Sequence, residues 1–191
     1  MATVRAGNKG VLLVVDVQVG VMSETWEAAR IIKNVSRSVE RARAEGVPVI
    51  WVQHSDQELL SGSPEWQLVP ELAPKQGELR LQKQFNSSFE ETQLEQELDR
   101  LGATHIVLAG AATNWCIRAT AYGALERGYD LTLIEDAHTT GTMELEAGVR
   151  IEAANIIDEL NAVMRWVSYP GRTNGTAPAE EVDFSHPGGI R

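Results

Sequence analysis

The chain carries a single cysteine, Cys116, in 191 residues. No internal disulfide framework is therefore possible, and a reducing, cytoplasmic setting is the expectation. Basic side chains are the next shortage: 17 Lys and Arg stand against 27 Asp and Glu, a net charge of −10. Counterion-release binding to nucleic acid needs a Lys/Arg surface, and so does attraction to anionic lipid, so no nucleic acid and no membrane is expected as a partner. Long apolar runs are missing as well. The longest, 11–15 and 106–112, fall far short of the ~20 residues that cross a bilayer. Residues 1–10 show no apolar core of a secretory signal. What remains, 43% hydrophobic and 23% charged residues, is the composition of an ordinary globular protein. The length suits one domain, read as residues 1–191 with 171–191 a tail rich in Gly, Pro and acidic residues.

Residues 11–15 form a β-branched and leucine run closed by Asp16, the signature of a strand buried on both faces in a parallel sheet. Over 24–45 the apolar residues Ala28, Ile31, Ile32, Val35, Val39 and Ala42 recur at three- and four-residue steps. That spacing predicts an amphipathic helix, stopped by Gly46 and Pro48. A strand over 47–52, ending near His54, leads into a long polar connection over 55–77 that holds Trp66; a loop of that length signals a lid or a substrate-side segment. A short strand over 79–83 follows. The Ser-x-x-Glu spacing of Ser88 and Glu91 predicts a capped helix reaching Leu101. Strands over 105–110 and 131–135 alternate with helices over 113–127, ended by Gly128, and 144–160. The last helix turns Leu145, Val149, Ala153, Ile156, Ile157 and Leu160 inward, and 162–167 reads as a final strand. Alternation of this kind implies an α/β fold, a three-layer α/β/α sandwich around a mainly parallel, doubly wound sheet.

Ligands of such sheets gather outside the carboxyl ends of the strands, and three reactive side chains fall there. Asp16 closes the first strand, Lys83 closes the short third one, and Cys116 lies in the opening turn of the helix after the 105–110 strand. At a helix N-terminus the free N–H groups and the macrodipole favour a thiolate, which predicts a lowered thiol pKa. The small-residue segment from Gly110 to Trp115 lets backbone N–H groups approach a carbonyl oxygen. Asp16 can accept the thiol proton and return it to a leaving amine, with Lys83 orienting the carboxylate. The set suits acyl transfer from an amide.

The strings LLVVDVQ, KQFNSSFEETQL and VLAGAATNWCIRATAYGALERGYDLTLIEDA resemble, in that order, the isochorismatase-like cysteine hydrolases, the superfamily of nicotinamidase and N-carbamoylsarcosine amidase. The resemblance implies an Asp16, Lys83 and Cys116 triad acting on amides or related C–N bonds through an acyl-enzyme. It also implies a non-proline cis peptide between Ala111 and Ala112, and an oxyanion hole made of the N–H groups of Ala112 and Cys116. Nicotinamidases place an Asp-x-His pair and a second His after the second strand to hold a metal. Here His54 is followed by Ser55 and Asp56, and the next histidine, His105, lies within a predicted strand. No metal and no cofactor is expected.

Gln18, His54, Trp66 and Trp115 complete the site as candidate substrate-binding residues, Gln18 as a pocket wall and the other three with a plainer alternative: core or rim polarity for His54, packing for the two tryptophans. His138 reads as a polar core residue beside Asp136, and Arg118 as an ion-pair or interface residue. Three functions stay open: a metal-independent amidase acting on a small-molecule amide, a vinyl ether hydrolase in which Cys116 is incidental, and a binding or thiol-sensing protein without turnover. Homo-oligomer formation is expected from the resemblance and from the broad faces of the two long predicted helices.

Overall fold

The computed structural model describes residues 2–184. In chain order its elements are β1 (Lys9–Val15), α1 (Val19–Met22), α2 (Ala28–Ala44), β2 (Val49–His54), β3 (Leu79–Lys83), α3 (Leu94–Leu101) and β4 (Ala103–Ala111). A π-helical turn (Thr113–Ile117) then runs into α4 (Arg118–Glu126), followed by β5 (Asp130–Thr139), β6 (Met143–Glu144), β7 (Arg150–Ile151), α5 (Ala153–Trp166) and β8 (Asn174–Ala177). Six strands make one sheet in the order β3-β2-β1-β4-β5-β8, every neighbouring pair parallel. The order reverses on either side of β1, so this is a doubly wound sheet.

Alternation along the central strands builds the three layers. Val11, Leu13 and Val15 of β1 pack with Ile106 and Leu108 of β4 against α3, α4 and α5, through Leu98, Leu125 and Leu160. Leu12 and Val14 turn the other way, onto Ile31, Val35 and Val39 of α2. Both sets are buried, Leu12 and Leu13 completely, and a leucine so placed contributes about 1.5–3 kcal/mol. This is why the first strand has no polar face in its sequence.

Two backbone features set the edge where β1 ends. Gly110, with φ +129°, lies so close to β1 that a Cβ on it would sit 1.9 Å from the carbonyl oxygen of Val15; no other residue fits there. Asp16 itself takes a left-handed conformation, φ 53°, which aspartate tolerates better than most residues. A further clamp holds the approach to β3. Arg43 of α2 grips Glu78 through both carboxylate oxygens at 2.8 and 2.9 Å, and the indole N–H of Trp51 donates to the same carboxylate at 2.8 Å.

Several boundaries differ from the sequence-based expectations. The first long helix starts at Ala28 rather than at residue 24, after the separate turn of α1. Ser88 and Glu91 do not cap a helix: α3 starts at Leu94, and the Ser88 hydroxyl instead meets Thr120 Oγ1 at 2.9 Å, inside the core. Residues 143–151 form a small β6–β7 hairpin with a 3-10 turn, leaving Leu145 and Val149 exposed rather than inward. α5 runs from Ala153 through Trp166, so the strand expected over 162–167 is helix up to its last residue. The sixth strand comes from the segment expected to be a tail: β8 pairs with β5, and Ala179, Val182 and Phe184 are buried beneath the sheet. The rest of that tail lies outside the described residues. Among the described residues no helix is long and apolar enough to cross a membrane.

Candidate active site

The parallel register lays His54 of β2 beside Lys83 of β3, and β1, between β2 and β4, delivers Asp16 to the same edge. Cys116 arrives from the π-helical turn after β4, whose wide i to i+5 bond joins Ile117 N to Ala112 O at 3.1 Å. Turns of this type recur at functional sites. The peptide bond before the turn, Ala111–Ala112, is cis, at the position the resemblance indicated.

The Lys83 ammonium sits at the centre of the site. It lies 2.7 Å from Asp16 Oδ2, 3.1 Å from Cys116 Sγ and 3.3 Å from His54 Nδ1. Asn86 Oδ1 stands 4.0 Å from the sulfur. Asp16 and Lys83 are each 2% exposed and Cys116 is 9% exposed. The second Asp16 oxygen, Oδ1, has no partner at hydrogen-bond geometry, yet the thiol is near enough for carboxylate and thiol each to perturb the other. Burial raises the Asp16 carboxyl above the usual range, more than Lys83 lowers it. Burial first, then the Asp16 charge, pushes the Cys116 thiol up to about 12 against the opposing pull of Lys83. This reverses the expected effect of the helix N-terminus: desolvation and a neighbouring carboxylate outweigh the dipole. The resting sulfur is therefore a thiol beside the Asp16 carboxyl group.

Lys83 also lines a cleft of about 210 Å³ with Ser55, Gln82, Gln84, Phe85 and Glu91. A wider hollow of about 520 Å³ shares Ser55 and Gln84 with it and is walled by Asp56, Gln57, Leu60 and Ser61. The 55–77 connection therefore borders the cleft through its first residues. Among the described residues no group of three or more His, Cys, Asp or Glu side chains is arranged to hold a metal ion.

The candidate substrate-binding residues separate. His54 lies beside Lys83, on the same edge as Asp16 and Cys116. Gln18 is fully buried; its amide donates to the carbonyls of His54 and Trp66 at 3.0 and 2.8 Å and accepts the His54 N–H at 2.8 Å, so it ties the long loop to the sheet. Trp66 is 8% exposed and contributes its carbonyl to Gln18 and Gln53. Trp115 is exposed beside Cys116, and neither hollow is lined by its ring. Arg118 pairs with Glu159 on α5.

His138 is buried, as the polar-core reading expected, but its partners behind the cysteine turn are not legible in the sequence. His138 bridges Thr113 Oγ1 at 2.9 Å and Asn161 Oδ1 at 3.0 Å, while the Asn161 amide N–H donates to Glu135 O at 3.0 Å. Since Asn161 presents its oxygen, His138 carries its proton on Nε2 and accepts the Thr113 hydroxyl on Nδ1. Burial, as the largest cause, lowers the His138 pKa from 6.5 to about 4. As pH falls the unfolded chain takes up this proton first, so the stability present above pH 6.5 is lost progressively down to about pH 4. Between pH 7 and pH 5 urea unfolding should show about 2 kcal/mol of loss from this residue. The pH slope of His138→Gln should be shallower by that amount; an identical slope would mean that His138 is not held neutral.

The chain matches the family model for the isochorismatase domain over residues 10–164. It is 30% identical over 187 residues to a streptothricin hydrolase of Streptomyces noursei, covering 90% of this chain and 68% of the relative. It is 29% identical to the ureidoacrylate amidohydrolase RutB of Methylobacterium radiotolerans, covering 72% of this chain and 64% of that protein. Across three curated relatives that it matches, the chain spans between 57% and 68% of their lengths. The N-carbamoylsarcosine amidase of Thermoplasma acidophilum superposes with a TM-score of 0.73 at 25% identity, over 92% of this chain and 99% of that one. With the family model covering most of its length and the sheet order, the cis peptide and the cysteine turn in place, the chain belongs to the isochorismatase family.

Proposed function

We propose that this protein is a metal-independent cysteine hydrolase that opens an amide or related C–N bond of a small molecule through a Cys116 acyl-enzyme. The observation that carries the reading is the convergence of Asp16 and Cys116 on one buried ammonium, at 2.7 and 3.1 Å. The names of the relatives, an amidohydrolase and an amidase among them, support the bond class.

With the thiol pushed up to about 12, preformed thiolate is scarce at neutral pH, so its proton passes to Asp16 as the sulfur attacks the carbonyl carbon. The N–H groups of Ala112 and Cys116 receive the charge developing on the carbonyl oxygen. Asp16 then hands the proton to the departing amine as the C–N bond breaks, leaving a thioester on Cys116. Water, deprotonated by Asp16, adds to the thioester; the acid leaves and the thiol is restored. The Lys83 ammonium, between the two groups, offsets the negative charge that moves between sulfur and carboxylate. The same reading makes this a cytoplasmic, self-associating protein whose partner is a small-molecule amide, in keeping with its lone thiol and net charge of −10.

A panel of neutral, anionic and cationic amides, scored for ammonia or amine release, tests the proposal. Wild type should turn over at least one class and show a substrate-derived mass adduct on Cys116. Full activity in Cys116→Ala would sink the mechanism, and turnover of an isochorismate-type vinyl ether by that variant would favour ether cleavage instead.

A further inference from the structure

A lysine ammonium has three protons to donate and nothing with which to accept. Lys83 is buried, and its three nearest acceptors are Asp16 Oδ2, Cys116 Sγ and His54 Nδ1, one for each proton. Nδ1 can serve as an acceptor only if the imidazole proton sits on Nε2. That atom points at Asp56 Oδ2, 3.1 Å away. The other Asp56 oxygen accepts the N–H groups of Glu58 and Leu59 at 2.8 and 2.7 Å, so this carboxylate is fixed in place and ready to receive the Nε2 proton. The His54 backbone is locked on both sides by Gln18. We infer that His54 is a positioning residue for Lys83: as the neutral imidazole protonated on Nε2, it takes the third ammonium proton and holds the lysine between the carboxylate and the thiol.

The inference deepens the proposed function and rests on it for the meaning of the triad. The charged groups around the ring are Lys83 from β3, Asp56 from the adjoining loop and Asp16 from the end of β1, with Cys116 beyond the lysine. Without the Nδ1 acceptor Lys83 is held less firmly against the sulfur, and the thiol reacts more slowly.

Cys116 is the one cysteine of the chain, so iodoacetamide alkylation reads its reactivity without any substrate. The rate is to be measured at neutral pH in wild type, His54→Ala and His54→Gln, with melting curves alongside. His54→Ala should react about tenfold more slowly, the weight of one hydrogen bond to a charged group. His54→Gln, whose amide oxygen can accept from Lys83, should recover most of the rate. Wild-type rates in both variants would overturn the inference. If His54→Ala fails to fold, His54→Phe, which fills the space without an acceptor, takes its place, and a wild-type rate in it overturns the inference. On an amide that wild type hydrolyses, His54→Ala should lower kcat with KM held within about twofold; a raised KM with unchanged kcat would make His54 a substrate contact and overturn the positioning role. Failure of every amide would remove the proposed function and leave the alkylation result to stand or fall by itself.

Discussion

Replacing Cys116 by alanine is expected to lower turnover by about 10⁴-fold or more, the loss typical when a covalent nucleophile is removed. The fold should survive. Cys116 is 9% exposed at the edge of the core, and trimming it leaves a small cavity. The larger cost is to Lys83, which loses one of its three acceptors; a buried donor left unmade costs about 1–3 kcal/mol. Cys116→Ser separates the two effects, because the hydroxyl still accepts from the ammonium while remaining a poor nucleophile in this role. Serine should therefore melt closer to wild type than alanine does, with both equally inactive. Measured by turnover and by thermal unfolding, activity in either variant would remove the thioester from the mechanism. Equal melting of the two would mean that Lys83 does not depend on the sulfur.

Lys83→Met should damage stability and activity together. It strips the Asp16 carboxylate, 2% exposed, of its counter-charge, and removing one partner of a buried pair typically costs about 3–5 kcal/mol. Against a usual total of about 5–15 kcal/mol that is a large share. Turnover should fall by about 10²–10³-fold or more, the scale seen when a fixed electrostatic stabiliser is lost. Part of the stability cost will be relieved by Asp16 taking up a proton, which its burial already favours. Combining Lys83→Met with Asp16→Asn should restore stability towards wild type by removing the orphaned charge, and restore no turnover at all. Urea unfolding of the three variants beside an amide assay checks both halves. A Lys83→Met protein as stable as wild type would show that the pair contributes no net stability.

Much of this site was legible because it is written at strand ends. The run before Asp16 and the short strand before Lys83 stand out by hydrophobic pattern, and a parallel sheet brings such ends to one edge. Orientation was not legible. Gln18 follows Asp16 by two residues, yet its amide is consumed by His54 and Trp66, 36 and 48 positions away. The Ser88 spacing was correct for a cap, but a hydroxyl cannot announce in sequence that Thr120 will be its partner. Residues 162–167 are apolar enough for strand or helix, and the turn-by-turn continuation of α5 decided it. β8 carries no strand signal of its own; its four residues, Asn174–Ala177, are strand because β5 offers them an open edge. The lowered thiol pKa that the sequence predicts does not hold, because a helix terminus is visible in sequence and desolvation is not.

The way the last described segment is tied down bears on how the molecule can be handled. Arg41 of α2 binds the carbonyls of Ala179 and Val182 at 2.8 Å, and the carbonyl oxygen of Phe184 abuts Gly10, where a methyl group would come within 2.1 Å. Gly10 is the second residue of β1 and Asp16 follows its end, so these points lie on opposite rims of the sheet, roughly 20 Å apart at about 3.3 Å per residue. A surface tether attached at this rear rim would therefore leave an immobilised form with its reactive mouth turned to the solution.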